Sequence, residues 1–189
     1  MHRHGWTGTL GLALVMGALV ASCSRAPSVH FAREEVAVRV RPGLVEVTAN
    51  YHFKVRAAKP FSALVFYPFP LDEFHAWPDS IWTGGLPFEF ADSGVTLRLN
   101  LPARGEESLR VYYRQPHRGS EARYIVTTTR KWRRPIDLAR FTVTVPSELD
   151  SVTLEYKPDS AVLSDSAVTY FITRRAFWPD SDIVVRWLP

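Results

Sequence analysis

Cysteine is almost missing from this chain of 189 residues, which holds Cys23 and no other. That excludes an internal disulfide framework, a zinc ribbon and any Cys-x-x-Cys redox couple. Long apolar runs are missing too. No stretch reaches 18 apolar residues, so no segment reads as a full transmembrane helix. Past residue 23 glycine occurs only at 43, 84, 85, 94, 105 and 119, each in turn-like surroundings. There is no phosphate-cradling glycine loop, no Gly-x-Ser-x-Gly elbow, no His-Glu-x-x-His and no EF-hand loop. Nor does any stretch past residue 23 hold a convincing 3.6-residue apolar period, which excludes a doubly wound α/β enzyme. What is present, 46% hydrophobic and 22% charged residues with 14 prolines, is the composition of a globular domain.

The first 22 residues read as a signal peptide. His2-Arg3-His4 gives a basic start, and Leu10 to Val20 is an uncharged apolar run, too short to span a bilayer but right for a secretory core. It ends in Val20-Ala21-Ser22-Cys23. This resembles the bacterial lipobox, an aliphatic residue and two small ones before a cysteine whose thiolate accepts a lipid. The resemblance implies cleavage between Ser22 and Cys23, acylation of Cys23 and a stable multi-chain anchor in the bilayer. Ser24, in place of an aspartate, favours the outer membrane where the organism has one. Removing residues 1–22 takes out Arg3 and no acid, leaving 22 basic against 19 acidic side chains, a formal +3. That is too small and too dispersed for nucleic-acid binding. Residues 23–30 read as a tether. The seven from Ser24 to His30 reach about 23 Å when extended, which confines the partners to what lies near the membrane.

Residues 31–189 read as one all-β domain. Val45, Val47, Ala49, Tyr51, Phe53 and Val55 share one face of a strand, and Glu46, Thr48, Asn50, His52 and Lys54 the other. Val36, Val38 and Val40 alternate before the turn Arg41-Pro42-Gly43, which makes a hairpin. Similar short strands recur to Trp187, punctuated by proline and turn clusters. That spacing predicts an antiparallel β-sandwich of immunoglobulin/fibronectin-like architecture. Ile136 to Phe141 is the one place where a helical turn is expected.

Three local features are candidates for function. Nine aromatics fall within residues 61–90, and Phe74, Trp77 and Trp82 sit in or beside loop chemistry. Exposed rings there suit sugar stacking or protein docking, whereas a loop folded back onto the sandwich would make them a cap. Arg130-Lys131-Trp132-Arg133-Arg134 sets four cations around one indole, suited to lipid phosphates or an acidic glycan, or else to a solvated loop. Trp77-Pro78-Asp79-Ser80 recurs as Trp178-Pro179-Asp180-Ser181, which reads as turn chemistry used twice. His30, His52, His75 and His117 are scattered, so no metal site and no cofactor are expected.

Val45 to Val55, Phe66-Tyr67-Pro68-Phe69-Pro70, Leu109 to Gln115 and Tyr124 to Trp132 together resemble secreted bacterial β-sandwich domains of unknown function. That resemblance implies fold and no catalytic residues. A weaker one is to the β-rich N-terminal domains of some exported peptidases, whose metal-binding motif does not occur in these residues. The reading that results is a lipid-anchored, non-enzymatic envelope protein that binds or assembles with an envelope protein or glycan near the membrane. The alternatives are a carbohydrate-binding module using Phe74, Trp77 and Trp82, and a hydrolase with a site assembled around Asp72, Glu73 and His75.

Overall fold

The structure, a computed structural model, describes residues 29–188. Ser22, Cys23 and the first residues of the expected tether lie outside the described residues. The chain from Val29 onward is almost entirely β, as the alternating sequence requires. Its strands are β1 (Val29–Arg41), β2 (Leu44–Val55), β3 (Phe61–Pro68), β4 (Ser80–Trp82), β5 (Phe88–Ala91), β6 (Gly94–Leu101), β7 (Glu106–Pro116) and β8 (Glu121–Tyr124). After a 3-10 turn over Thr127–Trp132 come β9 (Ile136–Pro146), β10 (Thr153–Leu154), β11 (Ser160–Leu163), β12 (Ala167–Phe177) and β13 (Ile183–Arg186).

One layer is a seven-stranded sheet in the order β11-β12-β9-β1-β2-β7-β4. The other is split into two three-stranded sheets, β3-β6-β5 and β10-β13-β8. The all-β sandwich expected from the sequence is therefore what the chain forms, with one departure. β1 and β9 run parallel, in the register Val36 to Phe141 and Val38 to Val143, so the large sheet is mixed. A parallel neighbour needs a long crossover, and strand alternation carries no information on which strands become neighbours across such a crossover. Ile136 to Phe141 is not a helical turn. Its residues form the start of β9, with Ile136, Ala139 and Phe141 buried, and the helical turn falls nine residues earlier where no alternation exists. Strand β1 also starts inside the expected tether, because Val29 and Phe31 pair with Val55 and Phe53.

The core lies between the layers. Val36, Val38, Val47, Ala49, Val111, Tyr113, Phe141 and Val143 form its large-sheet side, all at most 3% exposed. Each buried valine or larger side chain contributes about 1.5–3 kcal/mol of transfer free energy. A bulge between Phe31 and Arg33 shifts the phase of β1. As a result Phe31 and Glu34 both face the core, whereas Arg33 and Glu35 face outward. Among the described residues nothing covers the outward face of the large sheet, which is polar.

Candidate functional site

A groove of about 740 Å³ opens on that uncovered face. Its floor comes from alternate outward residues of β1 and β2, Arg33, Glu35, Asn50 and His52, and from Ser108 and Arg110 of β7. Its wall is the segment Trp82 to Leu86. Register explains Trp82. It pairs with Tyr112, so it leaves the sheet on the outward side, whereas its neighbour Ile81 pairs with Tyr113 and turns toward the core. β4 ends at Trp82, and among the described residues no strand pairs with the edge of β7 opposite β2 from Glu107 to Arg110.

The turn after β4 covers part of that gap. Gly84 and Gly85 have φ of +68° and +84°, and Thr83 donates from its hydroxyl to Leu86 O at 2.5 Å. A Cβ on Gly84 would stand 3.3 Å from Arg110 O, so the glycine allows the turn to abut the sheet edge.

The floor is held by polar contacts made before any ligand arrives. Arg110 Nε donates to Asn50 Oδ1 at 2.8 Å, and Arg140 Nη1 donates to Glu35 Oε1 at 3.0 Å. Arg33 Nη2 lies 3.2 Å from His52 Nε2. Guanidinium only donates, so that nitrogen accepts and the His52 proton sits on Nδ1. Two arginines and two glutamates line the groove, a balance that suits a neutral, hydrogen-bonding ligand better than a strongly charged one. The Trp82 ring, 46% exposed, provides a flat apolar wall over this polar floor.

Of the three aromatics marked out in the sequence, only Trp82 lines the groove. Trp77 packs edge-on against buried Phe69 and against Phe90, with ring centroids 5.9 and 6.0 Å away, so it caps the sandwich while keeping one side exposed. Phe74 lies against Gly119, far along the loop that follows β7. The three do not form one binding surface. Sequence reasoning missed Asn50, His52, Glu35 and Arg110 as site residues. Their signal was the polar phase of strands whose apolar phase was already clear.

Asp72 and His75 do come together, but as a turn. Asp72 Oδ1 accepts from the backbone N–H of Phe74 and of His75, each at 2.9 Å, and lies 2.8 Å from His75 Nδ1. Partial burial raises the Asp72 pKa, and these hydrogen bonds outweigh it and bring the carboxyl below its usual range. The His75 ring is buried at a bridge to His117, and its Nε2 has no partner among the described residues. Glu73 is exposed and joins neither. None of the three lines the groove. Among the described residues no cluster of three metal-ligating side chains occurs.

The basic segment divides in two. Trp132 is half-buried, 5.3 Å from the Phe53 ring and 6.0 Å from that of Phe31, and so belongs to the core rather than to an exposed tip. Arg130, Lys131 and Arg133 are exposed, Arg134 is half-exposed, and none of the four makes an ion pair among the described residues. Arg134 shares a surface hollow with His30, Lys54, Arg56 and Asp137, whose carboxylate pairs with His30 and Lys54. The cations thus gather where β1 begins.

No family model and no curated protein matches the chain. Among solved structures it is similar to a protein of Legionella pneumophila provisionally described as nutrient-binding, with 14% identity, a TM-score of 0.62, and 86% of this chain against 68% of that one covered. It is also similar to an M1 zinc metallopeptidase from Deinococcus radiodurans, with 14% identity and a TM-score of 0.52. There 84% of this chain is covered but only 42% of the peptidase, so the chain spans less than half that enzyme's length. At this identity what the three proteins share is the fold.

Proposed function

We propose that this chain is a lipid-anchored protein of the bacterial envelope that acts as a non-enzymatic binding module, and that its ligand is a neutral glycan held in the groove under Trp82. The groove carries this reading: a flat exposed indole stands over amide, imidazole and hydroxyl groups and over guanidinium and carboxylate groups whose formal charges balance. An aromatic face suits the apolar side of a sugar ring, and convergent planar polar groups suit its hydroxyls. The fold also occurs in a protein provisionally described as nutrient-binding, which is in keeping with a binding role.

The anchor rests on Val20-Ala21-Ser22-Cys23. It is supported by the position of the basic residues. Arg134, Lys54 and Arg56 share a hollow with His30, the second residue of the strand to which the tether leads, and with one acid, Asp137. A domain hung from acylated Cys23 presents this end to anionic headgroups, each cation near the surface adding about 1 kcal/mol of attraction.

Two experiments test the two halves. On a glycan array the wild type is expected to bind a set of neutral oligosaccharides that Trp82→Ala loses, while Trp77→Ala keeps them. Equal binding by Trp82→Ala contradicts the site. In cell fractionation Cys23→Ser is expected to leave the membrane, and its retention there, with no fatty acid on the wild type, contradicts the anchor.

A further inference from the structure

The inner face of the same sheet carries a second site. The two small sheets do not meet. β3 is an edge strand of one and β8 an edge strand of the other, and a pocket of about 220 Å³ opens between β3 and the segment from Tyr124 to Trp132. Phe31, Phe53, Leu109 and Trp132 give it apolar walls. Tyr51, Tyr67 and Tyr124 also line it, one from each of β2, β3 and β8.

Behind these tyrosines is a carboxyl. Glu34 is fully buried, and its Oε1 lies 2.7 Å from the Tyr124 hydroxyl. Tyr124 lies 2.6 Å from the Tyr51 hydroxyl, and Tyr51 lies 3.2 Å from that of Tyr67. The other Glu34 oxygen has no partner among the described residues. Among the described residues the titratable groups that feel the Glu34 charge are tyrosines: Tyr51 from β2, Tyr67 from β3 and Tyr124 from β8. β9 offers Ala139 and β13 offers Ile183 and Val185, none of them charged.

Counting protons along this row gives two arrangements. Each of the three contacts needs one proton. When Glu34 is ionised, the three tyrosine protons suffice only if Tyr67 turns to donate to Tyr51, the reverse of the Tyr51-to-Tyr67 bond in the structure, with Tyr51 donating to Tyr124 and Tyr124 to Glu34, and none remains. When Glu34 is protonated, a proton on the partnerless oxygen finds no acceptor, so it sits on Oε1 and the row reverses. Glu34 then donates to Tyr124, Tyr124 to Tyr51 and Tyr51 to Tyr67. The Tyr67 proton is left for the pocket, where an unmet donor is unfavourable.

We propose that this pocket binds a small neutral aromatic molecule whose carbonyl oxygen accepts a hydrogen bond from Tyr67, and that binding takes up a proton at Glu34. The size fits one ring. A dry engineered cavity of about 150 Å³ in another protein holds benzene, and this pocket exceeds that by about the room a carbonyl substituent needs. Burial, opposed by the Tyr124 hydrogen bond, raises the Glu34 pKa to about 7. The proton-loaded form is then roughly nine-tenths of the population at pH 6 and one-tenth at pH 8, and apparent affinity follows that fraction.

Calorimetric titration with acetophenone, and with ethylbenzene as the shape-matched molecule without an acceptor, tests this. Acetophenone is expected to bind about tenfold more tightly at pH 6 than at pH 8. Buffers of different ionisation enthalpy should report uptake of close to one proton at pH 8. Ethylbenzene should bind more weakly and without dependence on pH. In Glu34→Gln the amide always donates to Tyr124, so acetophenone should bind at pH 8 as tightly as the wild type does at pH 6. In Tyr67→Phe its advantage over ethylbenzene should vanish, with retained ethylbenzene binding showing that the pocket survives. No binding of either molecule, equal affinity for both, or no proton uptake by the wild type at pH 8 overturns the proposal whether or not the variants fold.

Discussion

Glu34 and Glu35 are adjacent in sequence and opposite in circumstance. Glu34 points into the core, where its desolvated carboxyl is held by one tyrosine. Glu35 points outward and lies among Arg33, His52 and Arg140 at the floor of the groove. The same side chain, one residue along a strand, becomes a proton store on one face and a member of a solvated ion network on the other. The difference comes from strand periodicity and the bulge at Phe31/Arg33, and from nothing in the residues themselves. The two faces of the large sheet therefore have separate chemistries that can be perturbed one at a time.

The largest contrast is expected from adding one charge to each face of β2. Val47→Lys puts an ammonium into a position with 0% exposure and no partner. It should lower stability by more than about 4 kcal/mol, or prevent folding. Thr48→Lys, one residue on, faces the open side and should change stability by less than about 1 kcal/mol in urea denaturation. Comparable losses from both would mean that the open face is covered in solution.

Next comes the pH dependence set by Glu34. The pKa of Glu34 is raised in the fold, so between its unfolded value near 4.5 and its folded value of about 7 the native state binds the extra proton. Its contribution is fully present below about pH 4.5 and is lost as pH rises through 7, in total about 3 kcal/mol. Relative to Glu34→Gln, the wild type should lose that amount between pH 4.5 and 8.

Trp82→Ala is expected to weaken glycan binding tenfold or more, with a stability change below about 1 kcal/mol, because its ring is nearly half exposed and meets no other ring in the described residues. The smallest effect belongs to Arg140→Ala. Its pair with Glu35 spans half-exposed groups, and such pairs contribute about 0.2–1 kcal/mol.

Much of the fold was legible because burial writes itself into period two. The dry face of β2 was readable residue by residue, as were the hairpin at Arg41-Pro42-Gly43 and the strands to Trp187. The same rule would have extended the phase of Val36, Val38 and Val40 back to Glu34 and marked it as buried. The polar character of Glu34 hid it, since a carboxyl is rarely expected inside. The parallel β1/β9 pair and the split second layer were not legible, because neighbour choice across long separations depends on packing of the whole layer. The groove was half legible. Trp82 stood out as an aromatic near loop chemistry, but its floor is drawn from three strands whose outward residues look like ordinary surface. Asp72 and His75 were read as possible chemistry and turn out to share a turn, which follows from the way an aspartate caps the backbone two and three residues ahead.

The most direct test is an NMR titration of the protein with neutral oligosaccharides, following the indole N–H of Trp82 and the side-chain amide of Asn50, with mass analysis of the sugar afterwards. A binding module with its site in the groove gives saturable shifts at both groups, silence at the indole of Trp77, and an oligosaccharide recovered at its original length. Unmoved Trp82 and Asn50 signals, or a shortened sugar, would contradict it.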